Sequence, residues 1–342
     1  MPVSREGHQY DRILFKPRDD CSSGGCHADV FLPADASEPA PIAITYHGGA
    51  FTICDSQHIF TGHVGYLLER GFAVVSLEYR LAPHVRFAEQ REDMLDGYRW
   101  ILNSLPDLYP GRLDASRFFV FGGSAGGSAT LFVVCILSTR FGGVDGAYHR
   151  QAIDALKAGL PSARALYSVY PMVDLDKKEG GYPHTPYEIA LSTLSAAQRA
   201  QVDELLKEPV STGYNIGAED RNDPSGRRIW VELVTRQSAL NGYMTGERLP
   251  PFSSTHCITK LVGPGLPPTV LVLAEADQIL DPSQTRELYG RLLESGVEVK
   301  LIVAKGMPHG ALERPRSTWP EGADWWDQVA VPALEWAMAR CD

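Results

Sequence analysis

The sequence lacks the features of a membrane, secreted or nucleic-acid-binding protein. No window approaches the roughly 18 consecutive apolar residues that suggest a membrane-spanning helix. The opening residues, MPVSREGHQYDRILF, contain no continuous apolar core of a secretory signal. The formal net charge is −10, so phosphate groups would be repelled. We therefore expect a cytoplasmic protein with no membrane span and no nucleic-acid partner.

The cysteines and histidines provide no framework for a metal. Cys21 and Cys26 flank Ser-Ser-Gly-Gly, and no second pair of ligands accompanies them, so we expect reduced thiols on a loop. Cys135 lies in an apolar run and is predicted to be a small core residue. His58 and His63 have no supporting cysteines or carboxylates, which favours pocket or surface positions. We expect no metal and no cofactor.

Short apolar runs that alternate with helical stretches predict a largely parallel sheet covered on both faces. Two β-prone runs around a Gly/Ser/Cys segment predict an opening hairpin from 13–15 and 28–32. Further strands are predicted at 41–46, 72–77, 117–121, 163–169, 269–274 and 299–303. Helices are predicted at 91–104, 124–137 and 325–340.

The alternation is interrupted once, between residues 176 and 265. This segment is rich in Gly, Pro, Tyr, Arg and Ser, and helices are predicted in it at 195–207 and 229–238. Because the flanking strands are expected to share one sheet, the sequence predicts a single domain over 1–342 with an insertion at 176–265. Its aromatic residues could line a pocket, but most are expected to form the insertion's own small core: Tyr182, Tyr187, Tyr214, Trp230 and Tyr243.

A glycine-rich turn at 119–127, FVFGGSAGG, carries a candidate nucleophile. It contains the pattern G-x-S-x-G, in which small neighbours allow a sharp turn between a strand and a helix. Such a turn lifts the serine hydroxyl above the sheet at a helix N-terminus, where negative charge is favoured. The apolar strand before the turn and the Ala-rich stretch after it supply the required context. Ser124 is therefore predicted to be the nucleophile.

The stretch His-Gly-Gly-Ala-Phe, directly after an early strand, predicts an oxyanion hole. Backbone amides of Gly49 and Ala50, together with the amide of Ala125 after the nucleophile, would stabilise a negative oxygen. Gly48 is expected to shape the turn. His47 is expected to pack and hydrogen-bond within the loop rather than to act as a base.

These residues resemble the hormone-sensitive-lipase-like branch of the α/β-hydrolases, which includes many microbial carboxylesterases. HGGAF is similar to that branch's HGGGF, FGGSAGG to GDSAGG, and residues 77–100 to its YRLAP…FPA…D…YRW segment. The resemblance covers nearly all the chain after residue 40 and implies the α/β-hydrolase fold. Ala50 departs from the third glycine, and Gly123 departs from the usual aspartate. Since only 46 residues precede His47, the insertion at 176–265 is expected to supply the lid.

The acid and base are expected late in the chain, because this fold orders its triad as Ser, then Asp or Glu, then His. His309 follows a predicted strand and precedes a glycine, as suits the base. Glu275, Asp277 and Asp281 follow the strand before it and are all candidates for the acid. The resemblance of this stretch to the family's AEYDPLRDE segment implies Asp277, with Asp281 as a helix cap or loop support.

The predicted function is that of a carboxylesterase-like serine hydrolase, which cleaves a small-molecule ester through an acyl-enzyme. A thioesterase, amidase, lactonase or acyltransferase would use the same triad, and the sequence does not separate these activities. A non-catalytic receptor on this fold is the alternative of another class, although the three triad residues are all present. The length of the insertion favours a bulky or specialised substrate over a promiscuous short ester, and a homodimer is compatible with the sequence.

Overall fold

The structure is a computed structural model that describes residues 3–5, 7–34, 38–60, 62–138, 159–177, 182–214, 226–253 and 256–342. Nine strands in these residues form one sheet in the order β1-β2-β3-β5-β4-β6-β7-β8-β9. Their bounds are Val3–Arg5 (β1), His8–Pro17 (β2), Gly25–Phe31 (β3), Ala40–Tyr46 (β4), Ala73–Leu77 (β5), Leu113–Gly123 (β6), Ala165–Val169 (β7), Thr269–Ala274 (β8) and Val299–Ala304 (β9).

The sheet is antiparallel at one edge and parallel elsewhere. Strands β2 and β3 form the predicted opening hairpin, and β3 pairs antiparallel with β5. All pairings from β5 through β9 are parallel. Every residue of β5, β7 and β8 is buried, as expected when both faces of a sheet are covered. The predicted α/β architecture is confirmed, and it brings the ends of β4, β6 and β8 to one edge.

Helices cover both faces and form two apolar clusters with the sheet. One cluster includes residues of α2, α4 and α10, and the other includes residues of α1 and α11. The helix bounds in the described residues are His63–Leu68 (α1), Phe87–Asn103 (α2), Leu105–Leu108 (α3), Ala125–Ser138 (α4), Tyr187–Ser192 (α5), Ala196–Leu205 (α6), Gly226–Arg236 (α7), Leu240–Thr245 (α8), Ile258–Leu261 (α9), Ser283–Glu294 (α10) and Val331–Met338 (α11). A 3₁₀ turn at Arg316–Thr318 and a π-helical turn at Trp326–Ala330 precede α11.

The segment between β7 and β8 is helical where it is described. The two helices predicted there are α6 and α7, which pack against each other. Helices α5, α8 and α9 were not predicted, and each is six residues or shorter. Helix α8 packs on α2, while α9 packs on α4 and α10. These contacts tie the segment to the helices on one face of the sheet.

Most of the segment's aromatic side chains form the expected small core. Trp230 is fully buried, and its indole N–H donates to the Tyr187 hydroxyl at 2.8 Å. The Tyr243 ring packs against both, with centroid distances of 5.1 Å to Trp230 and 4.6 Å to Tyr187. Tyr182 is exposed, and the Tyr214 ring instead faces a guanidinium, that of Arg227.

Two expectations about single residues are corrected by the structure. Cys26 lies in β3 rather than on a loop, where it is completely buried. His63 is neither a pocket nor a surface residue, since its imidazole is buried between the rings of Phe121 and Trp326. All six cysteines are free thiols. Among the described parts of the chain, no helix has both the length and the apolarity that crossing a bilayer requires.

Candidate active site

Ser124 lies on a sharp turn between the end of β6 and the start of α4. Its φ of 55° is a left-handed value that a non-glycine residue adopts only under constraint. The Ser124 N–H donates to the carbonyl of Val169 at 2.9 Å, which fixes the turn to the neighbouring strand. A side chain at Gly126 would collide with the carbonyl oxygen of Tyr46, so α4 can approach β4 only with glycine there. These contacts give the small residues of the pattern their physical reason.

The serine, a histidine and an aspartate form a continuous hydrogen-bonded chain. His309 Nε2 lies 2.9 Å from Ser124 Oγ, and His309 Nδ1 lies 2.7 Å from Asp277 Oδ2. The side chains of His309 and Asp277 are only 12% and 3% exposed. A carboxylate on Nδ1 keeps the proton on that nitrogen, which leaves the Nε2 lone pair directed at the serine hydroxyl.

The structure separates the three acidic residues that the sequence left close together. Asp277 alone faces His309, and its Oδ1 accepts backbone N–H groups of Ile279 and Leu280 at 2.9 Å each. Asp281 Oδ1 accepts the N–H of Ser283 at 2.8 Å, at the start of α10. Glu275 accepts the N–H of Gly306 at 3.2 Å and so supports the loop that leads to the histidine.

The loop after β4 lies next to the serine. Gly49, Ala50 and Phe51 have φ values of 93°, 51° and 63°, an unusual left-handed run that curls the loop. The carbonyl oxygen of Gly49 accepts hydrogen bonds from the N–H groups of Thr52 and Ile53, which closes this curl. Ala50, Ala125 and Ser124 line the same cavity. A Cβ placed on Gly48 would lie 3.6 Å from the Cβ of Ser124, so this loop lies beside the nucleophile turn.

His47 is a packing residue of this loop, as expected. Its ring stacks on Tyr79 with centroids 4.2 Å apart and an interplanar angle of 6°. His47 Nδ1 lies 2.8 Å from the carbonyl oxygen of Gly48, and the Tyr79 hydroxyl donates to the carbonyl of His47 at 2.9 Å. Burial lowers the pKa of His47 to about 4, so the imidazole is neutral and serves as a support.

The segment at 77–100 buttresses the loop after β4, which the sequence predicts to be the oxyanion loop. Ala82 N–H and Gln90 Nε2 both donate to the carbonyl of Phe51, at 3.0 and 2.8 Å. Arg80 makes two hydrogen bonds to the buried carboxylate of Asp93, at 2.7 and 2.9 Å. This bidentate pair holds the start of the segment, at Arg80, on helix α2. The segment in turn holds the loop.

Arg227, at the start of α7, is a loop support that the sequence did not reveal. Its Nη1 donates to the carbonyls of Thr52 and Ala82 at 2.8 and 2.6 Å, and the residue is 2% exposed. Burial lowers the pKa of Arg227 to about 10. An isolated arginine in a polar stretch carries no sign of burial, because its partners lie 145 and 175 residues away.

Gly123 is required by close packing rather than by backbone angles. A Cβ at this position would lie 2.5 Å from the Phe60 ring and 2.9 Å from Glu313 Oε1. A side chain at this position would have to displace both groups. The carboxyl group of Glu313 occupies this space from another part of the chain.

A narrow apolar cavity of about 50 Å³ opens beside the serine. Thr235 and Leu240 of the inserted segment form part of its wall, while the segment's clustered aromatic rings do not. Its lining residues are Ala50, Ser124, Ala125, Met172, Thr235, Leu240, Ile279 and Leu280.

Within the described residues, one group of side chains has the spacing of a metal site. Ligand atoms of Asp174, Asp176 and Cys257 lie within 4.8 Å of one another. Asp176 already accepts the Lys260 ammonium at 2.5 Å and the N–H of Phe252 at 2.6 Å. Both carboxylate oxygens of Asp176 therefore already have partners within the protein.

Comparison with known proteins agrees with this fold. A family model described as "alpha/beta hydrolase fold" matches residues 43–313. The chain is 26% identical over 307 residues to the non-reducing polyketide synthase stbA of Stachybotrys bisbyi, and 26% identical over 336 residues to the non-reducing polyketide synthase ascC of Acremonium egyptiacum. These alignments cover 82% and 92% of the chain but only 13% and 15% of the synthases.

Solved structures of similar fold include several esterases. A bacterial heroin esterase superimposes with a TM-score of 0.63 at 20% identity, covering 99% of this chain and 86% of the esterase. Carboxyl esterase 2 of Tuber melanosporum superimposes with a TM-score of 0.56 at 19% identity, covering 99% of this chain and 88% of the other. At this level of identity the likeness concerns the fold.

Proposed function

The chain belongs to the hormone-sensitive-lipase-like family of α/β-hydrolases, and on that premise we propose that it is a serine hydrolase that cleaves carboxylic esters. The observation that carries the proposal is the 2.9 Å contact between His309 Nε2 and Ser124 Oγ, continued by the 2.7 Å contact to Asp277. A base within hydrogen-bond reach of a serine, and itself held by a carboxylate, is the arrangement that activates a hydroxyl nucleophile.

In the proposed reaction, His309 Nε2 takes the proton of Ser124 as Oγ attacks the ester carbonyl. The amides of Gly49, Ala50 and Ala125 donate to the oxyanion of the tetrahedral intermediate. His309 then protonates the leaving alcohol, and the acyl group remains on Ser124. A water molecule repeats the sequence and releases the acid, while Asp277 stays ionised and stabilises the imidazolium.

The cavity beside the serine sets the proposed substrate class. Its wall is almost entirely aliphatic, and its volume of about 50 Å³ suits a short uncharged group next to the reacting carbonyl. Thr235 and Leu240 belong to the segment at 176–265, which we assign as a lid within a single domain over 1–342. This assignment rests on their position in the cavity wall.

A second candidate is cleavage or transfer of an acyl thioester by the same residues. The specific observation in its favour is that 82–92% of the chain aligns with a part of two polyketide synthases. Enzymes that make polyketides handle activated acyl chains, and the same oxyanion hole and base would serve a thiol leaving group. Attack by a second alcohol in place of water would give an acyltransferase.

The test compares the wild type with Ser124→Ala on p-nitrophenyl acetate and on an acetyl thioester. The expected result is hydrolysis and labelling by a fluorophosphonate in the wild type, and neither in Ser124→Ala. Ser192→Ala removes an exposed hydroxyl of α5 and should behave as the wild type. Ester hydrolysis retained in Ser124→Ala would remove this serine from the mechanism. A folded wild type that neither hydrolyses nor reacts would favour a binding protein.

A further inference from the structure

Glu313 places a second carboxyl group next to the catalytic loops, four positions after the histidine. Its Oε2 accepts a short hydrogen bond from the Tyr170 hydroxyl. Its Oε1 lies 2.9 Å from where a Cβ of Gly123 would be, and 4.0 Å from where a Cβ of Gly48 would be. The carboxyl group therefore lies between the nucleophile turn and the oxyanion loop, although it takes no part in the proposed reaction.

Tyr170 connects this carboxyl group to the base. The Tyr170 ring packs on the His309 imidazole with centroids 4.7 Å apart and an interplanar angle of 49°. The residue is buried, and its φ of 33° is strained for a tyrosine at the end of a strand. Its N–H donates to the carbonyl of Val272 at 2.8 Å, which anchors the backbone independently of the side chain. The short hydroxyl contact to Glu313 adds a second anchor at the far end of the ring.

We propose that Glu313 is a positioning residue for the base: it holds the Tyr170 ring against His309, and its ionised form favours the imidazolium. Gly123 is the condition for this arrangement, because any side chain there would displace the carboxyl group. Asp277 fixes the imidazole at Nδ1, and Tyr170 limits the tilt of the ring. The inference rests on the proposed function, since it concerns the same histidine.

Burial and the neighbouring groups determine whether the carboxyl group of Glu313 is ionised. Burial raises the pKa of Glu313, while the Tyr170 hydroxyl and the positive forms of His309 and His58 oppose that rise. The ionisable groups that face it are Tyr170, Tyr167, His309, His58 and Cys54. A negative charge at this place favours the imidazolium that forms in each half of the reaction. Removing the charge should therefore shift the acid limb of the activity profile to lower pH.

The test is Glu313→Gln, which keeps the shape and an acceptor oxygen but removes the charge. With p-nitrophenyl acetate, kcat should fall about tenfold with KM unchanged, and the acid limb of kcat/KM should move to lower pH. Tyr170→Phe removes the hydroxyl that the carboxyl group holds but leaves the charge of Glu313 in place, so it should also lower kcat. Glu335→Gln is the matched control, because Glu335 accepts the Tyr66 hydroxyl at 3.0 Å at an exposed site. It should leave kcat and the pH profile unchanged.

A folded Glu313→Gln with wild-type kcat and an unchanged acid limb would overturn the inference. So would wild-type kcat in a folded Tyr170→Phe, because the hydroxyl contact is proposed to hold the ring against the base. If Glu313→Gln does not fold, Tyr170→Phe decides alone, and wild-type kcat in that variant overturns the inference. Failure of the proposed function looks different, since the wild type itself would then show no hydrolysis that depends on Ser124.

Discussion

Arg227 donates a hydrogen bond to the carbonyl of Thr52 at 2.8 Å, so the segment inserted between β7 and β8 is tied to the oxyanion loop. The same guanidinium donates to the carbonyl of Ala82, which lies in the 77–100 segment that supports this loop. One side chain thus joins three stretches of chain around the curl at Gly49. The inserted segment and the loop after β4 are expected to respond together when that side chain is changed.

We expect Arg227→Met to weaken both the fold and the catalysis. It leaves the carbonyls of Thr52 and Ala82 without their donor, so the free energy of unfolding should fall by about 1–3 kcal/mol. Since Thr52 closes the curl, kcat for an ester should fall about tenfold. Arg236→Met, on the same helix but 75% exposed, should change the unfolding free energy by under about 0.5 kcal/mol. Urea unfolding and ester kinetics check both, and equal behaviour of the two variants would contradict the tie.

Asp277→Asn and Asp281→Ala should separate catalysis from support. An amide at 277 cannot keep the proton on His309 Nδ1, so kcat should fall by about 10³–10⁴ with little change in KM. Asp281→Ala removes only the acceptor of the Ser283 N–H, which should lower the free energy of unfolding by about 1 kcal/mol and leave kcat intact. Steady-state kinetics and urea unfolding measure both effects. A large loss of kcat in Asp281→Ala instead would reverse the two roles.

Leu240→Ala should change which acyl chains are accepted. Leu240 forms part of the cavity wall beside Ser124, and its truncation makes room for additional methylene groups. We expect the ratio of kcat/KM for p-nitrophenyl hexanoate to that for acetate to rise about tenfold. Leu206→Ala, at an exposed leucine, should leave this ratio unchanged. An unchanged ratio in a folded Leu240→Ala would mean that the acyl chain lies outside this cavity.

His47 should make stability depend on pH. Its folded pKa of about 4 lies below the ordinary 6.5, and Nε2 has no hydrogen-bond partner among the described residues. Between these values the unfolded chain binds the proton and the folded chain does not, so stability falls as the pH is lowered from 6.5 to 4. The loss from this residue should be about 3 kcal/mol. Urea unfolding across this range should show a smaller loss in His47→Asn, and parallel curves for the two proteins would contradict the prediction.

The elements that the sequence predicted well are those with a strong local pattern. The apolar runs before Ser124 and before Asp277 are bounded by turn residues, and both are strands at the predicted places. The contacts of His309 with Ser124 and Asp277 follow the order that the resemblance implied. Short helices such as α5 and α8 escaped prediction, because fewer than two turns give too little periodicity to detect.

The residues that the sequence did not reveal depend on contacts far along the chain. Arg227 and Glu313 are charged residues, which normally lie at the surface, and their burial beside the site follows from partners more than 100 residues away. His63 was misplaced for the same reason, since its aromatic neighbours come from β6 and from the turn before α11. The residues adjacent in sequence therefore do not predict this burial.

The wide separation of Ser124, Asp277 and His309 along the sequence has a consequence for folding. Ser124 follows β6 and Asp277 follows β8, while His309 follows β9, 185 residues after the serine. Contacts between residues so far apart in sequence form slowly, because the entropy of closing a long loop is lost before the contact stabilises the chain. The hydroxyl of Ser124 therefore remains an ordinary alcohol in a partly folded chain. Reactivity toward a fluorophosphonate would report the completion of folding rather than the collapse that precedes it.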